Sequence, residues 1–336
     1  MLMLALLVAL ADDPQPGALK LYGDWAVACD NTHRCEMTSL YPPDGPSDAD
    51  ADYQATASLT RAAGPEGSFA VELYPANTVK GRVSVRVDDV PVASVPANAA
   101  GDTVTLAAAD SARLAAAMAN GKRLTLTDAS GKLVARISLA GSSAALRHID
   151  ADQGRAGTVT AAVAKGARAA SAVPGAPVLP RIAALRPSGA AAALPPALRA
   201  SLEQQGGCND WYEGTESRPE TQLHALGGGK TLVLIPCGAG AYNYNSLAFI
   251  LSGGKAVEAG FDLSSGEGEG NALVNAGWDK GVLSSYYKGR GVGDCGLGAS
   301  YVWDGTRFRL IEMRMMDECR GSTNWLTVWR AEPVFR

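Results

Sequence analysis

Trp303-Asp304-Gly305-Thr306 lies between two strand-like runs, and three similar punctuations precede it: Gly228-Gly229-Lys230, Ser252-Gly253-Gly254-Lys255 and Trp278-Asp279-Lys280-Gly281. Asp-Gly and Gly-Gly pairs supply the positive φ that tight hairpin turns demand. Hairpins at such even spacing predict an antiparallel meander that closes into a barrel or sandwich over residues 197–336. Toward the N-terminus, short runs rich in Val, Leu or Thr predict strands at 22–29, 55–60, 69–73, 83–87, 104–106, 123–127 and 134–138. The expected fold is therefore mainly β with a few short helices: two sandwich-like or barrel-like domains, the first spanning 12–170.

The expected helices are few. Residues 111–120 are Ala-rich, with Asp110 or Ser111 as N-cap and Gly121 as the C′ residue. Residues 142–169 read as helical, broken at Gly157-Thr158, with Thr158 capping a second short helix that runs to Lys165. Pro174, Pro177, Pro180, Pro187, Pro195 and Pro196 with an Ala run make 171–196 the linker, with room for a strand near 178–185. Pro196 then suits the first turn of a helix running to Gln205 and closed by Gly206-Gly207.

Six cysteines, Cys29, Cys35, Cys208, Cys237, Cys295 and Cys319, read as a disulfide set. Proximity favours Cys29–Cys35, Cys208–Cys237 and Cys295–Cys319, with exchange among the last four left open. There is no C-x-x-C, and His33, His148 and His224 are the only histidines, so no metal centre is expected. The first eleven residues, MLMLALLVALA, are apolar but too short to span a bilayer. They fit the apolar core of a secretory signal ending in Ala9-Leu10-Ala11. The charged leading region of such a signal is missing, so a truncated start is expected. These features predict a periplasmic or secreted protein with no transmembrane segment in the mature chain.

A net charge of −4 offers no electrostatic basis for nucleic-acid binding. Gly227-Gly228-Gly229-Lys230-Thr231 lacks the leading glycine of a phosphate loop, and a strand follows it, so no nucleotide is expected. Asp48-Ala49-Asp50-Ala51-Asp52 begins like a calcium loop, but Tyr53 stands where glycine is required. No cofactor is expected.

Gly23-Asp24-Trp25-Ala26-Val27-Ala28-Cys29-Asp30-Asn31 with Cys35 resembles the start of the bacterial domain-of-unknown-function family 1176. Ile149-Asp150 with Gln153 to Thr158, Tyr287 to Gly291 with Gly293 to Gly296, and Trp303-Asp304-Gly305 carry the same resemblance along the chain. The N-terminal half is also similar to the invasion-associated locus B family, in its Asp-Trp…Cys opening and in Gly121 through Leu139-Ala140-Gly141. These resemblances imply an exported envelope protein and no particular reaction.

Two groups of residues invite a functional reading. Asp150, Gln153 and Arg155 predict a polar clamp between a helix and its successor. Tyr286, Tyr287, Lys288 and Arg290, followed by Asp294, form a candidate ligand surface, with Tyr242-Asn243-Tyr244-Asn245 as a second aromatic–amide stretch. This pattern fits a non-catalytic binding protein for an envelope glycan or protein better than an enzyme. The alternative is a glycan or peptidoglycan hydrolase using Glu267, Glu269 or Asp294 as paired carboxylates.

Overall fold

The structure is a computed structural model that describes residues 13–45, 54–208, 219–263 and 270–336. The apolar leader, the Asp48–Asp52 run, and Glu267 with Glu269 lie outside the described residues.

The N-terminal half runs β1 (Lys20–Tyr22), β2 (Trp25–Cys29), β3 (Cys35–Ser39), β4 (Ala55–Arg61), β5 (Phe69–Pro75), β6 (Arg82–Val87), β7 (Val90–Pro96), β8 (Val104–Thr105), α1 (Ala108–Met118), β9 (Arg123–Thr127), β10 (Leu133–Ser138) and α2 (Ser142–Asp152). Two sheets form, in the orders β1-β2-β3-β4-β5-β8 and β10-β9-β6-β7. Alternation along β5 buries Phe69, Val71 and Leu73 and leaves Ala70 and Glu72 in water. With Val83, Val85, Leu124 and Leu126 from the other sheet, and Leu114, Met118, Leu146 and Ile149 from the helices, these residues close one core.

The chain continues through β11 (Arg181–Ala184), α3 (Pro196–Gln205), β12 (Gln222–Gly227), β13 (Lys230–Ala239), β14 (Tyr244–Ser252), β15 (Lys255–Glu258), β16 (Ala272–Val274), β17 (Gly277–Asp279), β18 (Val282–Lys288), β19 (Gly296–Trp303), β20 (Phe308–Met316), β21 (Leu326–Arg330) and β22 (Glu332–Phe335). Strands β12 to β16 make one sheet and β17 to β21 another, and the four turns read from the sequence close the β12–β13, β14–β15, β17–β18 and β19–β20 hairpins. The Pro-rich stretch carries β11, which pairs in parallel with β22, so it is stitched to the C-terminus.

The three disulfides join Cys29–Cys35, Cys208–Cys237 and Cys295–Cys319. The first closes the β2–β3 hairpin. The second ties the end of α3 to β13.

Every residue of β2 is buried. Trp25, Val27 and Cys29 face the N-terminal core. Ala26 and Ala28, on the opposite face, belong to a second core with Leu326 and Val328 of β21, Leu283, Tyr301, Trp303 and Phe308. A strand buried on both sides needs side chains the size of alanine where another sheet approaches closely. Polar groups seal the same seam. Asn31 exchanges two hydrogen bonds with the Arg330 backbone, at 3.0 and 2.8 Å. The Arg330 guanidinium donates to Asp30 and Thr32. Arg320 donates to the Tyr41 carbonyl at 2.7 Å and to Asp24 at 2.6 Å.

Three helix expectations change. α1 begins at Ala108, so Asp110 and Ser111 lie inside its first turn. The Ser111 hydroxyl donates to the Leu106 carbonyl and Asp110 pairs with Arg113. Gly121 is required by space: a Cβ there would come within 2.4 Å of Val87 and 2.9 Å of Leu139. The helix expected over 158–165 does not form. Asp150 captures the backbone N–H groups of Ala162, Val163 and Ala164, and the Thr158 hydroxyl donates back to the Arg155 carbonyl. The strand expected over 22–29 is broken by a turn at Gly23-Asp24 into β1 and β2, and β3 and β7 were absent from the sequence reading.

Ala28→Leu wedges extra carbons between the two cores. Overpacking of this kind costs about 1–3 kcal/mol, read as a lower urea midpoint. An unchanged midpoint would show that the seam is not tightly packed.

Candidate functional site

Antiparallel register places Tyr286 of β18 opposite Gly298 of β19, Gly298 opposite Arg314 of β20, and Arg314 opposite Thr327 of β21. One row thus crosses four strands on one face. Tyr286 stacks on Trp325, with ring centroids 4.5 Å apart and 16° between planes. Glycines make the room. A Cβ on Gly298 would touch both rings at 3.6–3.7 Å, and one on Gly296 would lie 2.8 Å from the Trp325 ring and 2.0 Å from the Tyr287 carbonyl oxygen. The Trp325 indole donates to the Gly293 carbonyl at 3.1 Å, which fixes its tilt.

This shelf floors a cleft of about 260 Å³ at the meeting of the two halves, lined also by Glu36, Ser58, Arg314, Thr323 and Asn324. Glu36 accepts from the Thr327 backbone at 2.9 Å and pairs with Arg34. The Asn324 side-chain nitrogen is buried and has no hydrogen-bond partner. A buried amide donor without an acceptor is costly unless something supplies one. Burial pushes the Tyr286 phenol above its ordinary pKa, so it stays a neutral donor.

The two aromatic stretches meet through amides. Asn243 bonds the backbone of Lys288 in both directions, at 2.8 and 3.1 Å. Asn275, at φ +46°, donates to the Tyr286 carbonyl at 2.8 Å and to Asn243 at 3.0 Å. The Tyr242 hydroxyl donates to Gly289, and the Lys288 ammonium lies 5.9 Å from the Tyr242 ring. Lys288 and Tyr286, two apart on one strand, share a face. The surface therefore runs Tyr242, Lys288, Tyr286, Trp325. Tyr287 alternates to the other face. Tyr244 and Asn245 line a separate cleft of about 540 Å³ with Gln222 and Pro236.

Arg290 and Asp294 serve each other. The Asp294 side chain is almost fully buried, accepts from Arg290 Nε at 2.7 Å and from the Gly321 N–H at 2.6 Å. The bond from Arg290, helped by that N–H, outweighs burial and holds the carboxyl below its usual range. A glycosidase general acid needs the reverse shift. The histidines sit elsewhere. His33 lies 2.9 Å from Asp152, His148 lies 3.2 Å from the Tyr22 hydroxyl, and His224 stacks on Trp278. Burial lowers the pKa of His148 and of His224.

Asp150, Gln153 and Arg155 converge under the first disulfide hairpin. Asp150 accepts from Arg61 at 3.2 Å as well as from three backbone N–H groups. Gln153 donates to the carbonyls of His33 and Arg61 and accepts from Arg155 Nε at 2.7 Å. Arg155, fully buried, also reaches the Gly64 carbonyl. Burial first, then the neighbouring Arg155, pushes Arg61 down to about 10, opposed by Asp150. All of the polar capacity in this cluster is turned inward.

The chain matches the family described as "Protein of unknown function (DUF1176)" over residues 19–332. The chain belongs to this family. Among its relatives is the uncharacterized protein YpfG of Escherichia coli (strain K12), 31% identical over 340 residues, covering 93% of this chain and 92% of that protein. Among solved structures, invasion associated protein B from Bartonella henselae is similar over 41% of this chain and 99% of its own, at 20% identity and a TM-score of 0.30. Among the described residues, no helix is long and apolar enough to cross a membrane.

For this family member, the sequence reading found Tyr286 of the cleft and missed Glu36, Ser58, Arg314, Thr323, Asn324 and Trp325. Register counted outward from the Trp303-Asp304-Gly305-Thr306 hairpin would pair Gly298 with Met313; the bulge between Ser300 and Tyr301 shifts the partner to Arg314, and nothing local signals Trp325 or Glu36.

Two outcomes follow. Asp150→Asn leaves buried Arg61 without its counter-charge and costs about 3–5 kcal/mol, measured by urea unfolding; a loss under 1 kcal/mol would contradict the clamp. Asp294, ionised more readily folded than unfolded, contributes stability that is lost as pH falls below about 4. Asp294→Asn should flatten that acid limb of the stability–pH curve, and an unaltered limb would contradict the assignment.

Proposed function

We propose that this protein is an exported, non-catalytic binding protein that holds an envelope saccharide along the Tyr242–Lys288–Tyr286–Trp325 surface. The observation that carries this reading is the Tyr286–Trp325 stack on the floor of the cleft. The aromatic faces present flat apolar area to a sugar ring, while the Arg314 guanidinium beside them can donate to its hydroxyls. Glycine at 296 and 298 keeps the shelf flat. Export is supported by the three disulfides, which persist in oxidising compartments, and by the signal-like run ending at Ala11. The hydrolytic alternative draws no support from Asp294, whose charge is taken up by Arg290 and Gly321.

The test uses purified protein titrated with N-acetylglucosamine oligomers and soluble peptidoglycan fragments by calorimetry. Tyr286→Ala and Trp325→Ala should each weaken binding by about tenfold, equivalent to about 1.4 kcal/mol, with the melting temperature retained. Undiminished binding by both variants, or capture of a protein and no saccharide, would contradict the reading. In the native host, the mature chain should start after Ala11 and leave the cell by osmotic shock; recovery only with cytosolic markers would contradict export.

A further inference from the structure

The outer face of the sheet β10-β9-β6-β7 carries a second site of different chemistry. Its inner face is apolar: Val85, Leu124, Leu126, Ala135 and Ile137 are buried in the N-terminal core. Alternation sends the intervening residues outward. Register aligns them in rows. Arg86 of β6 lies opposite Thr125 of β9, and Thr125 opposite Arg136 of β10. Ser84 lies opposite Thr127, and Arg123 opposite Ser138. Each of these pairings sets an arginine beside a hydroxyl or two hydroxyls side by side, while Pro91 of β7 lies opposite Arg86 and Leu133 of β10 opposite Thr127.

These side chains wall an open cleft of about 360 Å³, lined by Arg86, Arg123 and Arg136 with Thr125 and Thr127, and by Asp89 from the hairpin between β6 and β7. Asp89 engages Arg86 through its backbone carbonyl. The neighbouring Asp88 carboxylate is turned to the backbone N–H groups of Lys122 and Arg123 at 2.9–3.1 Å. Thr125 sits at the centre of the rows and is nearly buried. Half-buried Arg86 and exposed Arg123 flank it in the cleft.

We infer that this cleft binds the phosphate group of a small soluble phosphate ester. Guanidinium forks match tetrahedral oxyanions through paired N–H donors, and charge-assisted bonds are about twice as strong as neutral ones. Hydroxyls of Thr125 and Thr127 supply further donors to the same oxygens. The volume lies in the range of small-ligand pockets, and the cleft is concave where a membrane surface would call for a flat or protruding basic patch. The site shares no lining residue with the saccharide surface.

The full chain is titrated with inorganic phosphate and with glucose 1-phosphate by calorimetry at low ionic strength, and separately with vesicles containing phosphatidylglycerol. Saturable binding of both soluble probes is expected. Arg86→Ala and Arg123→Ala should each weaken it by about tenfold without lowering the melting temperature. Arg181→Ala, an exposed arginine paired with Glu332 far along the chain, should leave it unchanged. No saturable binding of either soluble probe would overturn the inference. So would an equal loss in Arg181→Ala, or binding to vesicles alone.

Discussion

Strand β2 is buried on both faces, and that constraint organises the molecule. Trp25 and Val27 fill one core while Ala26 and Ala28 admit the packing of the other. Alternation of large and small side chains along five residues is what lets one strand serve two cores. The Trp25 indole then donates to the Ser138 carbonyl at 3.0 Å, tying β10 to the same strand. The Cys29–Cys35 bridge closes the hairpin that follows, and Asp30, Asn31 and Thr32 in its loop grip Arg330 from the far end of the chain. Sequence separation near 300 residues is spanned here by side chains that start in one tight turn.

The cleft floored by Tyr286 and Trp325 is a product of this seam. Glu36 belongs to β3, next to β2, and reaches the Thr327 backbone on β21. Tyr286 and Arg314 belong to the C-terminal sheet, and Trp325 immediately precedes its last strand, β21. Neither half carries the cleft alone. Its rigidity follows from the packing beneath it, so its floor is preorganised and its ligand would not have to order it. The buried clamp of Asp150, Gln153 and Arg155 supports the same hairpin from the opposite side, through the His33 and Arg61 carbonyls.

Much of the secondary structure was legible because it is written locally. The glycine-bearing turns at 228, 253, 281 and 305 dictate their hairpins whatever surrounds them, and Pro196 with Gly206 frames α3. The disulfide partners were legible because each pair is close in sequence. What stayed hidden depends on distant groups. The segment after α2 has the composition of a helix, yet the Asp150 carboxylate takes its N–H groups. Gly121 reads as a cap but is a close-packing position. Of the candidate surface, Tyr242, Tyr286 and Lys288 come together, Tyr244 and Tyr287 point elsewhere, and Arg290 with Asp294 form a structural pair. Trp325 had no signal, since its meaning comes from the ring it covers.

If one strand serves both cores, the two halves cannot melt independently. Differential scanning calorimetry of the disulfide-intact chain tests this directly. The account predicts one transition, with a calorimetric to van't Hoff enthalpy ratio of about 1. Two resolved transitions, with one half folded while the other has melted, would contradict it.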